Sequence, residues 1–88
     1  MKKIIEEDSA EGLEALLGEI VTLFCAAYFY TGKLVGVNET CVKLKDPKIV
    51  YDTGSFDNKS WADAQALPES TWYVQTSAIE SFGIMKRP

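Results

Sequence analysis

The sequence contains no histidine. That removes the usual general base, the commonest metal ligand and every triad built on imidazole. It has two cysteines, Cys25 and Cys41. No disulfide framework staples the fold, and no second thiol or imidazole completes a metal site. Long hydrophobic runs are missing too. The longest uncharged apolar stretch, residues 20–30, is short of the roughly 18–20 residues that cross a bilayer. There is no basic surplus: nine Lys and Arg face thirteen Asp and Glu, for a net charge of -4 and a sequence pI of about 4.7. A strongly basic nucleic-acid coat is excluded. No Gly-rich phosphate cradle surrounds Gly54, and Asp52, Asp57 and Asp63 do not match a calcium loop. No catalytic residue, metal or cofactor is expected, and the chain reads as a non-enzyme.

What is present describes one small folded domain. The 88 residues are 47% hydrophobic, 11% aromatic and 25% charged, ordinary for a globular chain and too few for two cores. Lys2 and Lys3 are followed by Glu6, Glu7, Asp8, Glu11, Glu14 and Glu19 before the apolar run begins. No signal-peptide core tolerates that acid cluster. The expectation is a cytoplasmic protein with reduced thiols and no membrane partner. The whole net charge sits in residues 1–19, and the rest is neutral. Within it, Lys33, Lys43, Lys45 and Lys48 outnumber Glu39 and Asp46. Two readings fit that cationic stretch: a strand edge guarded by lysines, or a set of phosphate contacts.

The pattern predicts a short α-helix over about 8–18. Asp8 or Ser9 caps it, Leu13, Leu16 and Leu17 form its apolar stripe, and Gly18 ends it. From residue 19 the texture turns to strand. Gly32 and Gly36 lie within one extended segment and predict a sheet bent hard enough to close on itself. Asn38-Glu39 reads as a tight turn, followed by a strand that Asp46-Pro47 interrupts. Residues 53–70 read as an irregular loop, with one or two helical turns after Ser60 that end before Pro68. Phe56 and Trp61 in that loop call for something to cover them. Strands over 71–75 and 78–84 close the chain. Tyr28, Phe29, Tyr30, Tyr51, Trp72 and Tyr73, at strand spacing, read as core and interface rather than as a stacking platform.

The order of helix, five short bent strands and one long insertion is that of a small SH3-like barrel. The residues resemble a specific family, the Sm-like (LSm) proteins, including the bacterial host-factor branch, Hfq. Phe24, then Gly32-Lys33-Leu34-Val35-Gly36-Val37-Asn38, then Cys41-Val42-Lys43-Leu44-Lys45 is similar to the first Sm motif. Trp72-Tyr73-Val74, Gln75-Thr76, Ile79 and Phe82 are similar to the second. The chain resembles a divergent member: one Sm-like domain over 1–88, with the first motif at about 19–46, an insertion at about 47–70 and the second motif at about 71–84.

The resemblance implies a mainly β, five-stranded bent barrel behind an N-terminal α-helix. It implies copies paired edge to edge in a closed homo-oligomeric ring, pentamer to heptamer. It also implies single-stranded RNA at an inner rim made by Asn38, Glu39 and Thr40 with Gln75, Thr76 and Ser77, and backbone phosphates near Lys33, Lys43, Lys45 and Lys48. The rim departs from the family pattern. The motif Asp is Asn38, the uracil-reading Asn is Val42, the stacking aromatic is Thr40, and Arg-Gly is Gln75-Thr76. Stacking and charge-assisted contacts of about 1–3 kcal/mol each are thereby lost. The expected role is therefore RNA binding or RNA chaperoning that is weak and salt-sensitive. The alternative is a non-catalytic scaffold or adaptor that binds a protein, such as a basic one, through the acidic N-terminal helix or the loop carrying Phe56 and Trp61.

Overall fold

The computed structural model describes residues 11–85; the proposed caps Asp8 and Ser9 and the acids Glu6 and Glu7 lie outside that range. Six strands form one antiparallel sheet: β1 (Ile20–Cys25), β2 (Phe29–Val37), β3 (Cys41–Asp52), β4 (Asp63–Ala66), β5 (Thr71–Gln75) and β6 (Ile79–Ile84). The path runs β4-β3-β2-β1-β6, and β5 pairs with β3 beside β4. Among the described residues no helix is long and apolar enough to cross a membrane.

β1 lies between β2 and β6. Its Val21, Leu23 and Cys25 point into the core, where Leu34, Val42, Leu44, Val74 and Leu13 meet them. Alternation of apolar and polar residues sets this inward face along β2 and β3. Thr22 and Thr31 are buried as well, and each hydroxyl donates to a backbone carbonyl: Thr31 to Val21 at 2.9 Å and Thr22 to Met85 at 3.3 Å. These bonds offset the cost of removing two hydroxyls from water.

β3 is long because it changes partner midway. Its first half, from Cys41 to Lys45, pairs with β5, and its second half, from Lys48, pairs with β4. The change falls at Asp46-Pro47. Asp46 takes a positive φ of 52°, and Pro47 is buried and has no N–H to give a ladder. Gly32 of β2 lies against this kink, where the β2–β3 register shifts. A Cβ there would come within 3.1 Å of the Lys45 carbonyl oxygen and 3.3 Å of the Pro47 Cα. The expected glycine bend is therefore a close approach of two backbones.

Four expectations need correction. The sheet is not closed as a barrel: β5 and β6, joined by a 3₁₀ turn at Thr76–Ala78, pair with β3 and β1 but not with each other. The sheet has six strands rather than five, because residues 63–66 pair with β3 instead of forming helical turns. The register Lys48↔Ala66, Ile49↔Gln65 and Val50↔Ala64, with the Leu67 N–H donating to the Pro47 carbonyl at 3.0 Å, supplies backbone bonds that isolated helical turns would lack. No α-helix occurs among the described residues. The helical part of 8–18 that is described is a 3₁₀ turn, Glu14–Leu16, and Gly12 within the expected helix has a φ of 80° that cannot belong to an α-helix; Gly18, at 90°, has the conformation of the expected stop. Finally, the core half of the aromatic reading fails for Tyr28, Tyr51, Trp72 and Tyr73, which are exposed, while Phe29 and Tyr30 are half-buried and Tyr30 packs against the core.

Candidate nucleic-acid interface

The six rim residues come together. Asn38, Glu39 and Thr40 form the β2–β3 turn, and Gln75 faces Cys41 at the end of β5. The Asn38 Oδ1 accepts three hydrogen bonds, from the Thr40 N–H at 2.8 Å, the Thr40 hydroxyl at 3.0 Å and the Cys41 N–H at 2.9 Å. This is the short-range side-chain bonding that makes Asn a turn residue. The Thr76 N–H donates to the Thr40 carbonyl at 2.9 Å, and its hydroxyl donates to the Glu39 carbonyl, also at 2.9 Å. The turn and the 3₁₀ segment are thus tied together by the groups that the resemblance assigns to a ligand.

The chemistry left over at this rim is poor for an anion. Of the six side chains only Glu39 is charged, and it is negative. The Asn38 carbonyl and the Thr40 and Thr76 hydroxyls are occupied by the turn itself. The rim joins the β2–β3 turn to the segment between β5 and β6.

The four lysines separate into two groups. Lys33 on β2 and Lys45 on β3 are direct cross-strand partners, both exposed, and Lys48 lies opposite Thr31 two ladder positions on. These three lysines line one groove of about 300 Å³ together with Ile20, Thr31, Gly32 and Asp46. Like charges placed directly opposite each other on an antiparallel pair are unfavourable by a few tenths of a kcal/mol. Among the described lining residues, three ammonium groups stand against the single carboxylate of Asp46, a net positive set within an acidic protein. Lys43 lies apart, its Nζ 5.7 Å from the centroid of the Tyr73 ring, a cation–π contact.

Sequence reasoning named the lysines but missed Thr31, Gly32, Ile20 and Asp46 as their neighbours. The Asn38 turn fixes the β2–β3 register, and counting back from it would have placed the lysines near one another. The two bulges, one at Gly36 and one at Gly32, move the count by a residue each and hide the pairing.

Cys25 is buried and Cys41 is half-buried; both are free thiols. Burial pushes the Cys25 thiol above its ordinary value, and the nearby Glu80 carboxylate adds to the shift. Among the described residues no three His, Cys, Asp or Glu side chains gather as a metal site would require. Trp61, expected to need a cover, finds it within the fold, where it is buried, whereas Phe56 stays 58% exposed and stacks on Phe24 with centroids 6.2 Å apart. Compared with protein-family profiles, curated proteins and solved structures, the chain matches none.

Proposed function

We propose that this chain is a non-catalytic module that binds single-stranded RNA weakly through the groove of Lys33, Lys45 and Lys48. The observation that carries the reading is the direct pairing of Lys33 with Lys45, with Lys48 in the same groove. A fold does not gain stability from that arrangement, but a chain of phosphates does, by releasing its counterions. Few cations and a net charge of -4 make the binding low in affinity and steep in salt. The proposal moves the RNA path from the rim to the groove, because the rim's one charged side chain is Glu39 and its Asn38 Oδ1, Thr40 hydroxyl and Thr76 hydroxyl already bond within the turn.

Kinship with the Sm-like proteins belongs to the same proposal, and connectivity supports it. Strands β1, β2 and β3 follow one another as a meander. β5 lies on the far edge of β3, and β6 returns to β1 after a 3₁₀ turn, the path an Sm-like chain would take. β4 is then an addition carried by the insertion. Self-association is proposed along the edge of β6 away from β1, which pairs with no strand among the described residues and where Phe82 and Ile84 are exposed. A second copy would add there, either onward into the expected ring or back on the same edge about a twofold axis.

A second reading, a protein-binding adaptor, is favoured by Phe56 alone. One titration separates them: anisotropy of labelled oligo-U and oligo-A at roughly 50 and 200 mM salt. Binding at low salt that is lost both at high salt and on changing Lys33, Lys45 and Lys48 together to Ala supports the RNA reading. No binding at low salt removes it. Mass by light scattering distinguishes a ring from a dimer, and a monomer would remove the assembly.

A further inference from the structure

A cleft of about 430 Å³ lies along β5, and no residue of β3, its pairing partner, lines it. Its walls come from β5, Cys25 of β1, the β1–β2 turn, Tyr30 of β2, the 3₁₀ segment and the start of β6. It occupies the seam where barrel closure is missing. Four aromatic rings line it: Tyr28, Tyr30, Trp72 and Tyr73. Tyr28 is held edge-on by Tyr51, with centroids 5.2 Å apart. Among the described residues that line it, Glu80 is the one acid, and none is Lys or Arg. Cys25 and Tyr30 are pushed upward by burial and stay neutral near neutral pH.

We propose that this cleft is an aromatic cage for a methylated ammonium group carried on an alkyl stem. Charge decides against the other small ligands. An anion would meet the Glu80 carboxylate and, among the described lining residues, no Lys or Arg. A neutral apolar ring would cover the carboxylate without balancing it. A bare primary ammonium holds its water tightly, so the rings repay little of its desolvation. A methylated ammonium spreads its charge over methyl groups, is weakly hydrated, and offers apolar surface to π faces that attract it. Tyr73 already takes one cation, Lys43, at 5.7 Å, and Lys43 is not part of the cleft wall. The volume exceeds that of the head group and leaves room for the stem. The site shares no residue with the lysine groove, so either proposal can fail alone.

The test is a calorimetric titration of the full chain with choline and with dimethylbutanol, its neutral isostere with carbon in place of nitrogen. The cage predicts choline binding about tenfold tighter than the isostere. Trp72→Leu, which keeps apolar bulk, and Glu80→Gln each weaken choline binding several-fold, while Lys33→Ala leaves it unchanged. A second arm compares a peptide bearing trimethyl-lysine with the same peptide unmethylated. Preference for the methylated peptide over choline assigns a protein side chain as the source, and equal affinity assigns a free small cation. Equal binding of choline and its isostere overturns the cage. So does the absence of saturation at concentrations on the order of millimolar. Unchanged choline affinity in a folded Glu80→Gln variant overturns the electrostatic basis of the proposal.

Discussion

Thr76 and Glu39, 37 residues apart in the chain, are joined by a hydrogen bond in which the Thr76 hydroxyl donates to the Glu39 carbonyl oxygen at 2.9 Å. Together with the bond from the Thr76 N–H to the Thr40 carbonyl, it fastens the β2–β3 turn to the segment that leads from β5 to β6. Thr76→Val keeps the shape and removes the donor. The expected loss is about 0.5–1.5 kcal/mol in urea denaturation, with RNA affinity unchanged. A variant as stable as the parent but weaker on RNA would return the binding site to the rim.

Asn38 has a larger share in the same corner, because one oxygen accepts three bonds. Asn38→Ala should cost about 1–2 kcal/mol, since the freed N–H groups have only water to turn to. Asn38→Asp keeps the acceptor and should cost a few tenths at most. Equal losses for the two variants would show that the oxygen is not what holds the turn.

Glycine positions 32 and 83 should respond in opposite ways. A methyl at Gly32 meets the Lys45 carbonyl oxygen, the Leu44 Cβ and the Pro47 Cα at 3.1–3.3 Å, and two of those atoms are backbone that cannot turn aside. Gly32→Ala should destabilise by about 1–3 kcal/mol through overpacking. Nothing lies within 4 Å of the corresponding position at Gly83, so Gly83→Ala should be neutral or slightly stabilising. Thermal unfolding of the two variants side by side decides the matter.

Much of this fold was legible because it is written at short range. The alternation through Val42 and Leu44, the Asn38 turn and the two glycines of β2 each carry their meaning in a few neighbouring residues. What was hidden depends on partners distant in sequence. β4 has the composition of a loop, and residues 63–66 become a strand only because the second half of β3 offers them an edge. The predicted helix failed at Gly12, whose positive φ outweighed the leucine spacing around it. Barrel closure failed because bending a sheet does not by itself bring its two ends into hydrogen-bonding register. At the site, residue types were readable, and the rim residues do converge. That Asn38 Oδ1 and the Thr40 and Thr76 hydroxyls bond within the turn, and that three lysines share a groove, required the register.

Alkaline pH should weaken the protein through its buried acids. Burial raises the Cys25 thiol above its ordinary 9.0, and Tyr30 is raised above 10.0 by burial first and then by the negative charges that Cys25, Tyr28 and Tyr51 acquire. Unfolded, each loses its proton at the lower, ordinary value; folded, each holds it longer. The folded state therefore binds more protons in that interval, and stability is full below about pH 9 and declines as pH rises through the folded values. Denaturation midpoints between pH 8 and pH 11 should fall, and Cys25→Ala should flatten the first part of the decline. A midpoint that is level over this range would mean that neither group is protected from water.

Lys33 allows stability and binding to be driven apart. Lys33→Glu turns a like-charge cross-strand pair with Lys45 into an attractive one. The gain in stability should be a few tenths of a kcal/mol, because both side chains are exposed and solvent screens them. RNA binding should change the other way. Losing one phosphate contact lowers the slope of log affinity against log salt by about 0.7 for a single strand, and the new carboxylate repels the backbone besides. A general disturbance of the sheet would lower both quantities together, whereas surface lysines with no ligand would raise stability and leave RNA unaffected; β2 and β3 are interior strands, so Lys33 and Lys45 guard no sheet edge. Only a groove that holds its lysines for a polyanion predicts a more stable protein that has lost its partner. Anisotropy and urea denaturation on the same preparation read both quantities.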